Sequence, residues 1–346
     1  MRKLQFLAVL ACVSLIVGCG GNEEPADDNN QSTEEVIEVT GDVSSPSVTP
    51  FTGERIAREM TQRPILATIN NYPDARPQTG IASADVIYEM LAEGDVTRFL
   101  ALFQSEIPEN IGPIRSARDY FIEIAAGLDA FYIAHGYSPE AQQLLESGIV
   151  NHVNGMQYDG SLFKRSPDRV APHNSYFPGE NIEAAAEKVS TSLLYQKKVS
   201  YTFYKEDESV KIGTEAESVA ITYSHNDLFN SLYTYDRDRN TYTRQSGNVL
   251  TIDELTNEPL ALSNVLFFEM SHSVIDSEGR REIDLTSGGT AFVFQQGIMR
   301  EVRWENIGGV LKAVEDDGSE VKLVPGKTWV HFVPSDPGME TTVKYS

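Results

Sequence analysis

The stretch Gly112-Pro113-Ile114-Arg115-Ser116-Ala117-Arg118-Asp119, continued through Tyr120 to Leu128 and then Ala130-Phe131-Tyr132-Ile133-Ala134-His135-Gly136, reads as a loop, a helix and a strand. Ser116 with Asp119 three residues on matches a capping box, which predicts a helix starting at Ser116 with its first amides covered by the hydroxyl. Phe121, Ile124, Ala125 and Leu128 recur at helical spacing, whereas Ala130 to Ala134 is a short aromatic and β-branched run suited to a buried strand. His135 falls where that strand ends. The carboxyl ends of strands and the amino ends of helices border ligand crevices in open sheets, so Arg115, Arg118 and His135 are expected to converge on a ligand of negative charge.

Working outward, Ile65 to Ile69 reads as a strand ending in Asn70-Asn71. Asp85 to Ala92 and Thr97 to Phe103, around Glu93-Gly94-Asp95, read as a β-hairpin with Arg98 opposite Leu91. Ser138-Pro139-Glu140 opens a second helix closed by Gly148, and Asn181 to Val189 is a third. Between the last two, Gly148 to Pro178 forms a long loop carrying His173 and Asn174, and loops of that length commonly serve function. From Val199 the texture changes to alternating strands punctuated by Gly, Asn and Asp, among them Tyr201 to Tyr204, Val265 to Met270, Val321 to Leu323 and Trp329 to Val333. The expected fold class is α+β: an N-terminal mixed α/β domain over 59–196, then a mainly β C-terminal domain over 197–346.

The first residues are of another kind. Arg2 and Lys3 precede an apolar run from Leu4 to Val17, and Ile16-Val17-Gly18-Cys19 has the form of a lipobox. Residues 1–18 are therefore read as a lipoprotein signal peptide and Cys19 as the lipid-bearing (palmitoylated) residue. The run is too short to span a bilayer. Residues 19–58, rich in Asn, Asp, Glu, Ser, Thr and Pro, read as a disordered acidic tether spanning roughly 35 Å. The expected place is the extracytoplasmic face of the cell membrane, held by the lipid. Cys12 and Cys19 are the two cysteines of the chain, so neither a disulfide nor thiol catalysis is expected in the folded part. The net charge of −23 deepens to about −25 once Arg2 and Lys3 leave, and such a surface repels nucleic acid and anionic headgroups.

Familiar signatures fail on inspection. Gly326-Lys327-Thr328 ends like a phosphate loop but Val321 stands where that loop needs glycine, so a hairpin turn is expected. Asp236 to Asn240 begins like a calcium loop, yet Thr241 replaces the turn glycine. Neither Gly-x-Ser-x-Gly nor His-Glu-x-x-His occurs. The remaining candidates are His173, His135 and Glu89 for proton transfer, and Asn70, Asn71, Arg76, Arg98, Arg115, Arg118 and Asn174 for binding. Arginine offers a planar fork of donors to phosphate or carboxylate, and histidine moves protons near neutral pH. The competing structural reading pairs Arg115 and Arg118 with Asp119, Glu89 or Glu93. No metal ligand set is expected, and the sequence leaves any cofactor unknown.

These residues carry a resemblance. Arg63-Pro64 with Asn70-Asn71, Ala75-Arg76-Pro77-Gln78-Thr79-Gly80, Ala92-Glu93-Gly94 with Thr97-Arg98-Phe99, Gly112 to Arg118, Asp159-Gly160-Ser161-Leu162-Phe163, Pro172-His173-Asn174-Ser175-Tyr176 and Pro325-Gly326-Lys327-Thr328-Trp329 together resemble the YerB-like lipoproteins of Gram-positive spore-forming bacteria. The resemblance runs from Arg63 to Val333. It implies a membrane-anchored surface lipoprotein with a two-part, family-specific fold, and it implies no activity. Two functions stay open. One is a binding or scaffolding module for an envelope protein or wall polymer. The other is an envelope hydrolase or transferase acting on an anionic phosphate-bearing or glycan polymer, in which Arg115 and Arg118 hold the anion and His173 or Glu89 moves the proton.

Overall fold

The computed structural model describes residues 47–210 and 212–346. The expected signal peptide, Cys19 and most of the tether lie outside the described residues. The tether's last part does not fit the expectation: Ser47–Val48 pairs with Arg55–Ile56, and Phe51 between them is buried against Tyr201. One large aromatic ring outweighs the polar composition around it, because its burial is worth on the order of 2 kcal/mol or more.

In chain order the principal elements are β1 (Ile65–Asn70), β2 (Val86–Glu93), β3 (Val96–Phe103), α1 (Asp119–Gly127), β4 (Phe131–Ala134), α2 (Pro139–Ser147), β5 (His152–Asn154), β6 (Ser175–Pro178) and α3 (Ile182–Lys188). There follow β7 (Ser218–Ile221), β8 (Ser231–Asp236), β9 (Thr241–Ser246), β10 (Asn264–Met270), β11 (Gly289–Gln295), β12 (Ile298–Ile307), β13 (Val310–Val314), β14 (Thr328–Pro334) and β15 (Val343–Tyr345). An eleven-stranded sheet runs β12-β11-β10-β14-β2-β3-β1-β4-β5, with β13 and Thr214–Glu215 both paired to β12. β14 lies parallel to β2 on one side and to β10 on the other.

That insertion ties together the parts expected on either side of 196/197. The last long strand of the chain sits inside the sheet begun by the first half, so the described residues form one compact unit rather than a mixed α/β domain followed by a separate β domain. Strand pattern could not reveal it, since parallel partners far apart in sequence leave no local mark. The helices are few and the molecule is sheet-rich.

Both faces of the central sheet are covered, which is why its middle strands read as near-continuous apolar runs. Leu66, Tyr88, Leu100, Val330 and Phe332 point to the face closed by Tyr120, Phe121, Ile124 and Leu128 of α1 and Leu145 of α2. Ile65, Ile87, Phe99 and Trp329 point to the other face, closed by Phe163, Phe177, Ile182 and a second sheet. That sheet holds Val249–Leu250, β9, β8, β7 and β15 and contributes Tyr233 and Tyr242.

Several local readings shift. α1 starts at Asp119 with Arg118 at its cap, while the Ser116 hydroxyl donates to the carbonyl of His135, so the capping box is absent. α2 follows the expectation: Ser138 accepts from the amide of Ala141, and Gly148 ends the helix at φ 75°, a conformation that favours glycine. In the hairpin Arg98 stands opposite Met90, because an irregularity between Leu91 and Glu93 offsets the register by one. Tyr201 to Tyr204 and Val321 to Leu323 touch by a single bridge, Phe203 to Leu323, and form no strand. Gly326 to Thr328 is no hairpin turn, because it enters a strand with parallel neighbours on both sides.

Candidate functional site

Four segments meet where β1 ends. The amide of Asn70 donates to Pro113 O (2.8 Å), that of Arg115 to Thr68 O (2.9 Å), that of His135 to Arg115 O (2.9 Å), and that of Ile114 to Ser175 O (2.6 Å). These bonds lace the 112–118 loop between β1, the end of β4 and the start of β6. The loop itself has no helical or strand periodicity, and its amides and carbonyls are satisfied by its neighbours instead.

The side chains on this scaffold form a ring of donors. Asn70 Nδ2 donates to His173 Nδ1 (2.8 Å), which leaves the His173 proton on Nε2. The His173 ring stacks on Tyr72 with centroids 5.2 Å apart. Arg165 donates through Nη2 to His135 Nε2 (3.1 Å), so His135 carries its proton on Nδ1 and gives it to Ser175 Oγ (2.7 Å). Burial, with Arg165 next, holds the His135 pKa below its ordinary value; burial, with Arg115 next, does the same to His173. Both rings are neutral at pH 7. Arg165 also reaches Asp159 and the Asn174 side-chain oxygen (2.9 Å), leaving the Asn174 amide group free to donate. A β-carbon on Gly155 would lie 2.1 Å from His135 Nδ1, so only glycine lets that ring settle here.

Arg115 lies in the middle. Among the described residues its side chain makes no hydrogen bond or ion pair, and its Nε is buried without a partner. Burial, reinforced by Arg98, lowers its pKa to about 10, which still leaves it charged at neutral pH. The two other arginines expected beside it are occupied. Arg98 makes two bonds to Glu93 (2.7 and 2.8 Å) and Arg118 bonds the same carboxylate, both guanidiniums being almost fully buried. For those two, the structural reading is the one the geometry supports.

The remaining candidates fall elsewhere. Glu89 is fully buried, 0% exposed, between the two sheets. It accepts from Asn71 Nδ2 (3.1 Å), Thr97 Oγ1 (2.8 Å), Trp329 Nε1 (3.0 Å) and Arg244 Nη2 (3.0 Å). Burial alone would raise its pKa, but Arg244 and these donors outweigh it and hold it low. Arg244, 1% exposed, lies 4.7 Å from the centroid of the Trp329 ring. His331 is bonded by Tyr223 and Tyr233, and burial lowers its pKa to about 4, so its 3.8 Å approach to Glu89 is not an ion pair. Arg76 belongs to this side too, donating to Asn71 O (2.8 Å). Sealed and fully bonded, Glu89 has no path to a substrate and is corrected from proton carrier to buried counter-ion.

The structure thus gathers Asn70, Arg115, His135, His173 and Asn174, and places Asn71, Arg76 and Glu89 in a second centre with Arg244 and His331. Sequence reasoning missed Arg165, Ser175, Arg244 and His331. Arg244 did leave a signal: it alternates with Tyr242 and Ser246 on the inward face of β9, where a charge demands a buried partner. Near Arg115 stand His173 and His135, with the carboxylates of Asp74 and Asp159 also acting on those rings. The hydroxyl bonded to the His135 ring, Ser175 Oγ, belongs to a residue 1% exposed in a paired strand. The donor types of Arg115 and His173 suit an anion.

Comparison with known proteins gives a consistent outcome. Residues 51–192 match the model described as "Protein of unknown function (DUF3048) N-terminal domain", and residues 219–330 match the corresponding C-terminal domain. The chain is 42% identical over 287 residues to the Bacillus subtilis (strain 168) protein named "Putative lipoprotein YerB", covering 82% of this chain and 86% of that one. It superposes on the crystal structure of YerB protein from Bacillus subtilis with a TM-score of 0.80 at 39% identity, covering 87% of this chain and 99% of that chain.

Proposed function

This chain belongs to the DUF3048 family of proteins of unknown function, and from that premise we propose that it is a Cys19-anchored envelope lipoprotein whose Arg115 cleft binds a phosphate-bearing wall polymer. The observation that carries the reading is the Arg115 guanidinium, which has no partner among the described residues and stands near His173, while Arg98 and Arg118 share the Glu93 carboxylate. A half-buried cation without a counter-ion is costly unless a ligand supplies one. The lipid anchor is supported by the Ile16-Val17-Gly18-Cys19 signal and by the lipoprotein name of the relative. Against a very acidic molecule, a local excess of arginine also selects where an anion can approach.

Binding is preferred to hydrolysis or transfer. Both nitrogens of His135 are engaged, Ser175 is buried and Glu89 is sealed away, so none of these three described residues is placed to activate water.

The test is equilibrium binding of the chain from Ser47 onward to a purified poly(glycerol phosphate) oligomer, beside Arg115→Ala and Arg115→Lys. Wild type should bind, with affinity falling as salt rises, and Arg115→Ala should lose about tenfold or more while melting at the same temperature. Equal binding by the folded Arg115→Ala variant overturns the reading. Shortening of the oligomer by wild type but not by Ser175→Ala would replace it with the hydrolase.

A further inference from the structure

A second site lies on the other side of the Asn70-Asn71 pair. A cavity of about 300 Å³, at the small end of the usual range for ligand sites, opens between the 73–78 loop and residues 249–252. Its walls are largely apolar, with Pro73, Pro77, Leu228, Val249, Leu250 and Ile252, and its polar groups include Arg76, Gln78 and Arg244. Val249 is 68% exposed and Leu250 40%, so these apolar side chains at the rim are left in water.

The charges beside the cavity do not balance. Arg76 and Arg244 bring two guanidiniums, and Glu89 brings one carboxylate already committed to Arg244, Asn71, Thr97 and Trp329. Arg76 uses Nε and Nη2 on Asn71, and among the described residues its Nη1 has no hydrogen-bond partner and the side chain no carboxylate. Gln78, which donates to Asn70 O (3.1 Å) and Asn71 Oδ1 (3.0 Å), locks the loop that carries Arg76 to the end of β1. The guanidinium is therefore held at the cavity wall. One unneutralised positive charge at an apolar pocket is complementary to a molecule with a single anionic head and an apolar body.

We propose that this cavity binds a small amphiphilic carboxylate, its head on Arg76 and its chain along Pro73, Pro77, Leu228, Val249 and Leu250. The proposal is independent of the Arg115 cleft, with which it shares no side chain.

Calorimetric titration of the chain with decanoate tests it, with decanol as the uncharged probe of similar length. Decanoate should saturate one site, and decanol should bind at least about tenfold more weakly, because it cannot use the charge on Arg76. Leu250→Glu, at an exposed rim position where folding is not at risk, should abolish binding. Arg76→Met should weaken decanoate about tenfold and leave decanol unchanged, and Arg115→Ala should bind decanoate like wild type. Equal affinity for the two probes, unchanged binding by Leu250→Glu, or no saturable binding by the folded wild type would each overturn the proposal. So would tighter binding of a leucine-terminated peptide with none of decanoate, which would point to strand addition at Val249–Leu250.

Discussion

Asn70 and Asn71 are adjacent in the chain and serve opposite kinds of polar centre. Asn71 feeds the Glu89–Arg244 pair, where the carboxylate and its guanidinium are buried against each other and the carboxylate accepts from four side chains. Asn70 orients His173 near Arg115, whose side chain has no opposing charge bonded to it among the described residues. Burial explains both. In the sealed centre water cannot supply a missing partner, so the protein must, whereas at the cleft an incoming anion can. Charged residues alone therefore do not mark a site; an unmet charge within reach of solvent does.

The largest effect that could break this contrast comes from removing one member of the sealed pair. Arg244→Met leaves Glu89 buried and uncompensated, and Glu89→Leu does the same to Arg244, so each should cost about 3–5 kcal/mol in urea unfolding. Arg115→Ala should stay within about 0.5 kcal/mol of wild type. Similar losses in the two regions would mean that Arg115 has a structural partner after all.

A pH series sharpens the same contrast. His331 titrates near 4 in the fold and near 6.5 when unfolded. Between those values the unfolded chain binds a proton that the native chain refuses, so stability is complete above pH 6.5 and falls as pH drops toward 4. The loss from His331 is roughly 3 kcal/mol, and His272, also lowered to about 4, adds in the same direction. Glu89, whose pKa is held low, adds its loss at still lower pH, below the ordinary carboxylate value. Denaturation midpoints across pH 7 to 4 should show the slope, and His331→Gln should reduce it by about half, leaving the part due to His272. A flat wild-type profile would show that the buried imidazole is not held neutral.

The smallest of the predicted losses separates position from charge. Gly155→Ala drives a β-carbon into the His135 ring, which should cost about 1–3 kcal/mol and, by shifting His135 and Ser175 beside the Arg115 loop, weaken polymer binding although no charge has changed. Unchanged binding would free the cleft from any need for an ordered His135.

Local signals in the sequence were reliable where one element decides its own structure. α2 obeys its Ser138 cap and Gly148 stop, and the 86–103 hairpin and the 131–134 strand form as their patterns predict. Where distant segments decide, the signals failed. Ser116 prefers the carbonyl of His135 to its own helix, Phe51 draws the end of the polar segment into the core, and β14 joins strands from opposite ends of the chain. In the cleft, Arg115, His135, His173, Asn70 and Asn174 were legible as residue types able to bind an anion. That Arg98 and Arg118 would share one glutamate, and that Arg165 would fix the His135 tautomer, depends on contacts no spacing rule contains.

The placement of β14 also dictates an order of assembly. Trp329 bonds Glu89 across 240 positions of sequence, and Thr328–Pro334 fills the gap between β2 and β10. Until synthesis reaches the final stretch of the chain, β2 lacks its inner neighbour and Glu89 its indole donor, so the first half waits as an incomplete sheet with an open edge. Such long-range closure makes for slow folding. It also means that an early stop codon before Thr328 removes an internal strand of the sheet rather than trimming its edge.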